Sequence, residues 1–172
     1  MSNSGPLPST PKNKKGRIIA ERPCVLIVEA RFYPGIADEL VNGASATLDA
    51  AGFDHERIKV PGVFEIPAAI RMALRSMEFH SGSNSYAGFI ALGCVIRGET
   101  DHYDHVCREL SRALMDLATE YALAFGLGVL TCENMEQAQG RADNNGKNKG
   151  GVAAEACLRM MEVKRHFRLI QR

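Results

Sequence analysis

The sequence has almost no excess charge, no long apolar segment and no signal peptide at its start. Its 21 Lys and Arg residues against 20 Asp and Glu give a formal net charge of +1, so no overall positive field favours nucleic acid as a partner. No apolar stretch approaches the roughly 20 residues that a transmembrane helix needs. We therefore expect no nucleic-acid partner, no membrane partner and, by default, a cytoplasmic location. A small polar ligand or another protein is the expected partner.

Sequence motifs for the common nucleotide-binding loops and for metal sites are also lacking. Neither GxxxxGK[ST] nor GxGxxG occurs, which gives little support to the usual nucleotide folds. The five cysteines are odd in number, widely spread and mostly set in apolar runs: Cys24, Cys94, Cys107, Cys132 and Cys157. This pattern favours free thiols in a reducing compartment over a disulfide framework.

The length and composition indicate one domain that follows a flexible arm. With 172 residues and 45% apolar content, the chain can bury one core of ordinary size. Residues 1–17 are rich in Ser, Pro, Asn and Lys and contain no carboxylate or aromatic side chain. Such a composition does not compensate for the entropy of ordering, so we expect an N-terminal arm and a domain from 18 to 172.

Strand and helix patterns alternate along this domain. The apolar run 24–29 predicts a strand that is buried on both faces, as parallel sheets require. Further strands are predicted at 57–60, 87–95 and 127–131, each followed by a helical pattern, with surface loops at 80–85 and 141–151. This alternation predicts an α/β sandwich with a parallel sheet of four strands.

The stretch from Gly93 to Val106, GCVIRGETDHYDHV, combines a strand end, a polar turn and a helix start. Ligands are expected in open parallel sheets where the carboxyl ends of strands meet the amino ends of helices. Thr100 or Asp101 is predicted to cap the helix, and the free N–H groups behind the cap make an anion site. His102 is then the side chain at this position that can both donate and accept a proton near neutral pH.

His102 has three possible roles: general acid–base group, metal ligand or part of the helix cap. His105 lies three residues further on, and Asp101 and Asp104 are neighbours. Adjacent positions of a helix point in different directions, and the rest of the chain offers no His or Cys pair with metal-ligand spacing. The metal-ligand role is therefore disfavoured, the acid–base and helix-cap roles stay open, and His105 is interpreted as structural.

Three other features have both a functional and a structural interpretation. Cys94 is placed at a strand end, where a nucleophile can lie, but its apolar neighbours favour a buried small side chain with a raised thiol pKa. Phe32 follows a strand on a turn and either packs locally or stacks on a planar ligand. Arg141, Lys147 and Lys149 lie in a Gly/Asn-rich segment that suits a phosphate or another small anion.

Three motifs together resemble the 6,7-dimethyl-8-ribityllumazine synthase family of riboflavin biosynthesis. They are VPGVFEIP, GCVIRGETDHYDHV and TCENMEQAQGRADNNGKNKG, and the resemblance covers residues 23–167. It implies a flavodoxin-like three-layer sandwich with a four-stranded parallel sheet. The implied reaction condenses 5-amino-6-ribitylamino-uracil with 3,4-dihydroxy-2-butanone 4-phosphate, releases phosphate and water, and needs no metal or organic cofactor.

The resemblance also implies roles for individual residues. Phe32 would stack on the pyrimidine, Glu65 would accept hydrogen bonds from the ribityl hydroxyls, and His102 would move protons. Arg141 would bind the phosphate with Lys149 nearby. The other implied substrate contacts are the ribityl pocket residues Val63 and Phe64, the ring border Cys94, Val95 and Ile96, and the phosphate turn Gly98, Glu99 and Thr100.

Three positions depart from the family pattern. Tyr33 stands where the family commonly has Asn, and Leu127 stands where an aromatic residue often lies over the pyrimidine. Glu99 replaces a small residue in the phosphate turn, where its charge opposes anion binding if it points inward. These departures bear on substrate affinity more than on the type of reaction.

The resemblance further implies a homo-oligomer whose sites lie between neighbouring subunits of a pentamer. Some members of the family assemble twelve pentamers into a hollow shell, and the sequence does not decide between the two forms. Two other functions stay open at this point: a non-catalytic lumazine- or flavin-binding protein on the same scaffold, and a metal-dependent hydrolase that uses His102 and His105.

Overall fold

The computed structural model describes residues 23–79 and 85–169. The predicted arm at 1–17 and nearly all of the predicted loop at 80–85 lie outside the described residues. Strands and helices alternate along the described chain, with one 3₁₀ turn at Val63–Glu65. Their bounds are β1 Cys24–Ala30, α1 Pro34–Ala50, β2 Asp54–Val60, α2 Ile66–Phe79, β3 Tyr86–Ile96, α3 His102–Glu120, β4 Phe125–Cys132, α4 Met135–Ala142 and α5 Lys149–His166.

The four strands form one parallel sheet in the order β2-β1-β3-β4. The two central strands, β1 and β3, are almost fully buried, as their unbroken apolar runs predict. This strand order is that of a flavodoxin-like sheet, whose ligands bind where the chain reverses its direction of winding. In this sheet the direction of winding reverses between β1 and β3.

The sheet separates two apolar cores and makes the fold three-layered. On one face α1, α4 and α5 pack on alternate residues of β1, β3 and β4, such as Ile27, Ile90 and Leu130. On the other face α2 and α3 pack on the intervening residues, such as Val28 and Ala91. The predicted α/β sandwich with a four-stranded parallel sheet is confirmed.

The start of one predicted strand and both ends of one predicted loop are wrong. Strand β2 begins at Asp54 and not at residue 57, because this edge strand pairs with β1 alone and can carry polar residues. The predicted loop at 141–151 is shorter at both ends, since α4 continues to Ala142 and Lys149 begins α5. Within residues 23–79 and 85–169, no helix is both long and apolar enough to cross a membrane.

Candidate active site

A cleft of about 640 Å³ opens where the carboxyl ends of β1, β2 and β3 meet the start of α3. Parallel strands bring the turns that follow them to the same edge of the sheet, which explains how residues far apart in the chain meet here. The cleft is lined by Phe32, Tyr33, Gly62, Val63, Phe64, Glu65, Cys94, Val95, Ile96, His102, His105, Val106 and Glu109. This set contains every residue predicted for the pyrimidine and ribityl pocket except Leu127, together with His102.

Phe32 lies on the short turn between β1 and α1 and is 70% exposed. Its ring contacts Tyr33 edge to face, with ring centroids 4.9 Å apart. The turn is anchored by the Arg31 N–H, which donates to the Val60 carbonyl at 2.9 Å. A large aromatic side chain exposed on an anchored turn is not part of a core, and it leaves a flat apolar face free for a planar ligand.

The turn with Phe32 forms one wall of the cleft. The segment after β2 forms another wall, and within it Val63–Glu65 form a 3₁₀ turn. The Gly62 N–H donates to Glu65 Oε2 at 2.9 Å, which closes the turn. Val63 is buried while Phe64 is 60% exposed. Within the described part of the chain Glu65 Oε1 enters no hydrogen bond or ion pair, so it is the oxygen with acceptor capacity for a ligand.

Cys94 is buried at the end of β3, and its environment argues against a nucleophile. Burial, with a smaller contribution from Cys132, raises the pKa of the Cys94 thiol to about 12. The thiolate is the reactive form of cysteine and is scarce at neutral pH when the pKa is so high. The interpretation of Cys94 as a buried small apolar side chain is confirmed.

The turn from β3 to α3 carries the predicted phosphate contacts Gly98, Glu99 and Thr100, all of them exposed. In the part of the chain that the structure describes, none of their backbone N–H groups donates a hydrogen bond to the protein. The three N–H groups are therefore free donors next to the amino end of α3, an arrangement that suits an anion.

The predicted side-chain cap of α3 is wrong. Asp101 occupies the N-cap position, but its side chain makes no capping hydrogen bond. A capping residue normally has extended backbone angles, whereas Asp101 has φ −69° and ψ 0°. Only its carbonyl contributes, accepting from the N–H groups of Asp104 at 3.1 Å and His105 at 3.2 Å.

His102 is the first residue of α3, is exposed and lines the cleft. His105 lines the same cleft one turn further along, although the sequence was interpreted as giving it a structural role. Val106 and Glu109 follow on the same helix face at the spacing that a helix requires, so the sequence could have predicted all three from His102. Among the described residues, no three His, Cys, Asp or Glu side chains are grouped to hold a metal ion.

The remaining predicted contacts do not line this cleft within one chain. Leu127 lies on the edge strand β4 and is 52% exposed, Arg141 lies in the last turn of α4, and Lys149 opens α5. Asn148 caps α5 by accepting from the Gly151 N–H at 3.0 Å, which fixes where Lys149 begins its helix. These three residues lie on elements that do not border the cleft around His102.

The departures Tyr33 and Glu99 have visible structural consequences. Tyr33 occupies the N-cap position of α1 without a side-chain capping bond, and its ring packs partly against the core formed by α1, α4 and α5. An Asn there can cap a helix, so the substitution exchanges a hydrogen bond for apolar packing. Glu99 is exposed on the turn and adds a carboxylate next to the three free N–H groups.

Comparison with known proteins identifies one family. The sequence pattern of the 6,7-dimethyl-8-ribityllumazine synthase family matches residues 23–165. The chain is 53% identical over 145 residues to the 6,7-dimethyl-8-ribityllumazine synthase of Paramagnetospirillum magneticum, covering 84% of this chain and 97% of that protein. It is 54% identical over 143 residues to 6,7-dimethyl-8-ribityllumazine synthase 1 of Rhizobium meliloti, covering 83% and 92%. The corresponding protein of Agrobacterium fabrum is 53% identical over 144 residues, covering 84% and 96%.

Proposed function

Since the chain belongs to the 6,7-dimethyl-8-ribityllumazine synthase family, we propose that it condenses 5-amino-6-ribitylamino-uracil with 3,4-dihydroxy-2-butanone 4-phosphate. The product is 6,7-dimethyl-8-ribityllumazine, which is formed in the penultimate step of riboflavin biosynthesis. The observation that carries the proposal is the cleft in which Phe32, Glu65 and His102 meet beside a turn with three free N–H groups.

The chemistry is a condensation that requires placement more than a strong nucleophile. The substrate amine attacks the ketone and loses water to form an imine, phosphate leaves by elimination, and ring closure expels a second water. Such a sequence gains most from two substrates held face to face, from a group that carries protons and from a site for the departing phosphate. The raised pKa of the buried Cys94 thiol is consistent with a mechanism that forms no thioester or thioether.

The predicted contact residues have different roles in this reaction. The exposed ring of Phe32 stacks on the pyrimidine, with Val63, Phe64, Cys94, Val95 and Ile96 around it. Glu65 Oε1 accepts from ribityl hydroxyls while Oε2 holds its own turn closed. His102 moves protons between the amine, the carbonyl oxygen and water, and Gly98, Glu99 and Thr100 offer backbone N–H groups to the phosphate.

We propose that the site is completed by a neighbouring copy of the chain in a pentamer. Leu127, Arg141 and Lys149 are at least partly exposed and border no part of the cleft around His102 in their own chain, which supports a role across an interface. In a cyclic oligomer each subunit presents two different faces, so one face can supply Phe32 and His102 and the other Arg141. Arg141 then provides the positive charge that the phosphate turn itself lacks.

The proposed reaction needs no cofactor, and we place it in the cytoplasm. All five cysteines are free, which fits a reducing compartment.

The test is direct: the purified protein is mixed with both substrates, and the lumazine absorbance and the released phosphate are followed together. Formation of both in equal amounts supports the proposal. Substrate or product binding without turnover would instead identify a non-catalytic binder on this scaffold.

A further inference from the structure

Arg97 connects three elements around the turn that carries the free N–H groups. It follows the last residue of β3, and its backbone N–H donates to the Cys132 carbonyl at the end of β4 at 2.9 Å. Its side chain reaches Asp104 in the first turn of α3 and Glu133 after β4. One residue therefore ties together β3, the start of α3 and the segment that leads into α4.

The contacts of the guanidinium are well formed. Nη1 and Nη2 donate to the two carboxylate oxygens of Asp104 at 2.9 and 3.1 Å, and Nε donates to Glu133 Oε1 at 3.2 Å. The guanidinium also lies over the Tyr103 ring, 4.1 Å from its centroid. Hydrogen bonding from Arg97 is the main reason that the pKa of Asp104 lies below its ordinary value. A bidentate, stacked arginine fixes geometry in a way that a single-point ion pair does not.

Among the residues that the structure describes, Gly98, Glu99 and Thr100 make no hydrogen bond or ion pair of their own that would fix the shape of the turn. Within the described residues, no backbone N–H of Gly98, Glu99 or Thr100 is used by the protein, and Asp101 provides no side-chain cap. Free donors are useful to an anion only when they are held in place before it arrives, because ordering them on binding costs free energy. The contact from Arg97 to Asp104 spans the turn and joins its two ends.

We propose that Arg97 is a positioning residue that holds the turn Gly98–Thr100 and His102 in the geometry that binds the phosphate-bearing substrate. This inference rests on the proposed function. We assign Arg97 no direct contact with the substrate: Nε, Nη1 and Nη2 each donate to Asp104 or Glu133, and the residue acts through the backbone that it anchors. Surface ion pairs contribute little to stability as a rule, so we assign this cluster to the placement of the turn rather than to the stability of the fold.

The test compares Arg97→Gln and Asp104→Asn with the unchanged protein. We measure kcat, the KM of each substrate and the inhibition constant of inorganic phosphate. Both variants should raise the KM of the butanone phosphate and the phosphate inhibition constant by about ten-fold, the effect of losing charged hydrogen bonds. The KM of the pyrimidine substrate should stay within about two-fold of the unchanged protein.

Asp104→Asn is the decisive variant. It removes a negative charge near the phosphate site, so simple electrostatics predicts tighter phosphate binding, whereas loss of the link to Arg97 predicts weaker binding. The matched control is Arg75→Gln, since Arg75 pairs with Glu78 and lies over the Phe79 ring in a similar way, on a helix face that does not line the cleft. It should leave all constants unchanged.

The outcomes separate this inference from the proposed function. If the unchanged protein forms no lumazine, the proposed function is wrong. If it does, and Asp104→Asn binds phosphate as well as or better than the unchanged protein, the positioning role of Arg97 is wrong. An equal rise in the KM of both substrates would also overturn it, because that result indicates general damage to the site.

Discussion

Gly150 of α5 packs directly against the backbone of Leu40 in α1. A Cβ atom built on Gly150 would lie only 1.9 Å from the Leu40 carbonyl oxygen, so no other residue fits unless the two helices separate. This contact lies one residue beyond Lys149, at the start of α5. The close approach therefore fixes both the packing of the helix layer and the position of Lys149.

Gly150→Ala should destabilise the fold by about 1–3 kcal/mol, the usual cost of overpacking. The matched control is Gly140→Ala in α4, where an added Cβ meets nothing within 4 Å. That change should be neutral or stabilise by up to about 1 kcal/mol, because Ala is the better helix former. Unfolding midpoints in urea measure both. Equal midpoints for the two variants would contradict the close packing of α1 on α5.

This contact also explains why the segment 141–151 was predicted wrongly. Its Gly and Asn content is typical of a loop, and Gly150 and Gly151 are themselves poor helix formers. The helix forms there because the two helices can approach closely only at glycine, which is a tertiary effect. The Asn148 side chain that caps α5 is a local signal and could have marked the helix start.

The sheet and the cleft were more predictable. The apolar run at 24–29 is long enough to predict a buried strand, and the turns after successive parallel strands must meet at one edge. Phe32, Val63 and His102 follow different strands and could be brought together on that basis. No such rule relates Leu127, Arg141 and Lys149 to them, and in one chain these residues lie away from the cleft. The Gly/Asn-rich segment suggested an anion site at Arg141 and Lys149, but the proposal that these residues and Leu127 share a site with His102 came from the family resemblance alone.

His102→Ala should slow turnover by about 10²- to 10⁴-fold, the usual contribution of one acid–base group. Activity should not vanish, because Phe32 and the turn at 98–100 still hold the two substrates. Single-turnover rates with both substrates saturating measure the effect. His105→Ala is the control from the same cleft and should slow the reaction much less. Comparable losses in the two variants would mean that the proton carrier has been misassigned.

Activity should survive thorough chelation. The proposed steps need only proton transfer and a site for phosphate, and neither requires a divalent ion. The rate is compared before and after dialysis against a strong chelator, with the metal content measured in the same samples. A loss of activity that one added divalent ion restores would favour a metal-dependent reaction at His102 and His105 instead.

Arg141→Ala should chiefly weaken use of the phosphorylated substrate. Its guanidinium is the proposed charged partner of the phosphate, and hydrogen bonds of this kind contribute about 1.5–3 kcal/mol. The KM of the butanone phosphate should therefore rise at least ten-fold while that of the pyrimidine changes little. Arg159→Ala removes an exposed charge from α5, outside the segment 141–151, and serves as the control. Unchanged constants for Arg141→Ala would show that the phosphate is held elsewhere.

The shared site can be tested by mixing two impaired variants. If Phe32 and His102 come from one subunit and Arg141 from its neighbour, a His102→Ala variant and an Arg141→Ala variant have complementary defects. When the two are dissociated and reassembled in equal amounts, each site takes one wall from each of two random neighbours in a cyclic assembly. Half of the subunits supply an intact His102 and half supply an intact Arg141. About a quarter of the interfaces should then carry a complete site.

At a butanone phosphate concentration well below its KM, the expected activity of the mixture is about a quarter of that of the unchanged protein, above either parent. Mass measurement of intact assemblies confirms that the chains have mixed, and a mixture that is never dissociated gives the baseline. The same experiment with Phe32→Ala in place of His102→Ala should give a similar recovery of activity, since both residues line the cleft of one subunit. If mixed assemblies never exceed the average of their parents, each site is built within a single chain. Arg141 would then have to reach the cleft around His102 by a movement of α4 within its own subunit.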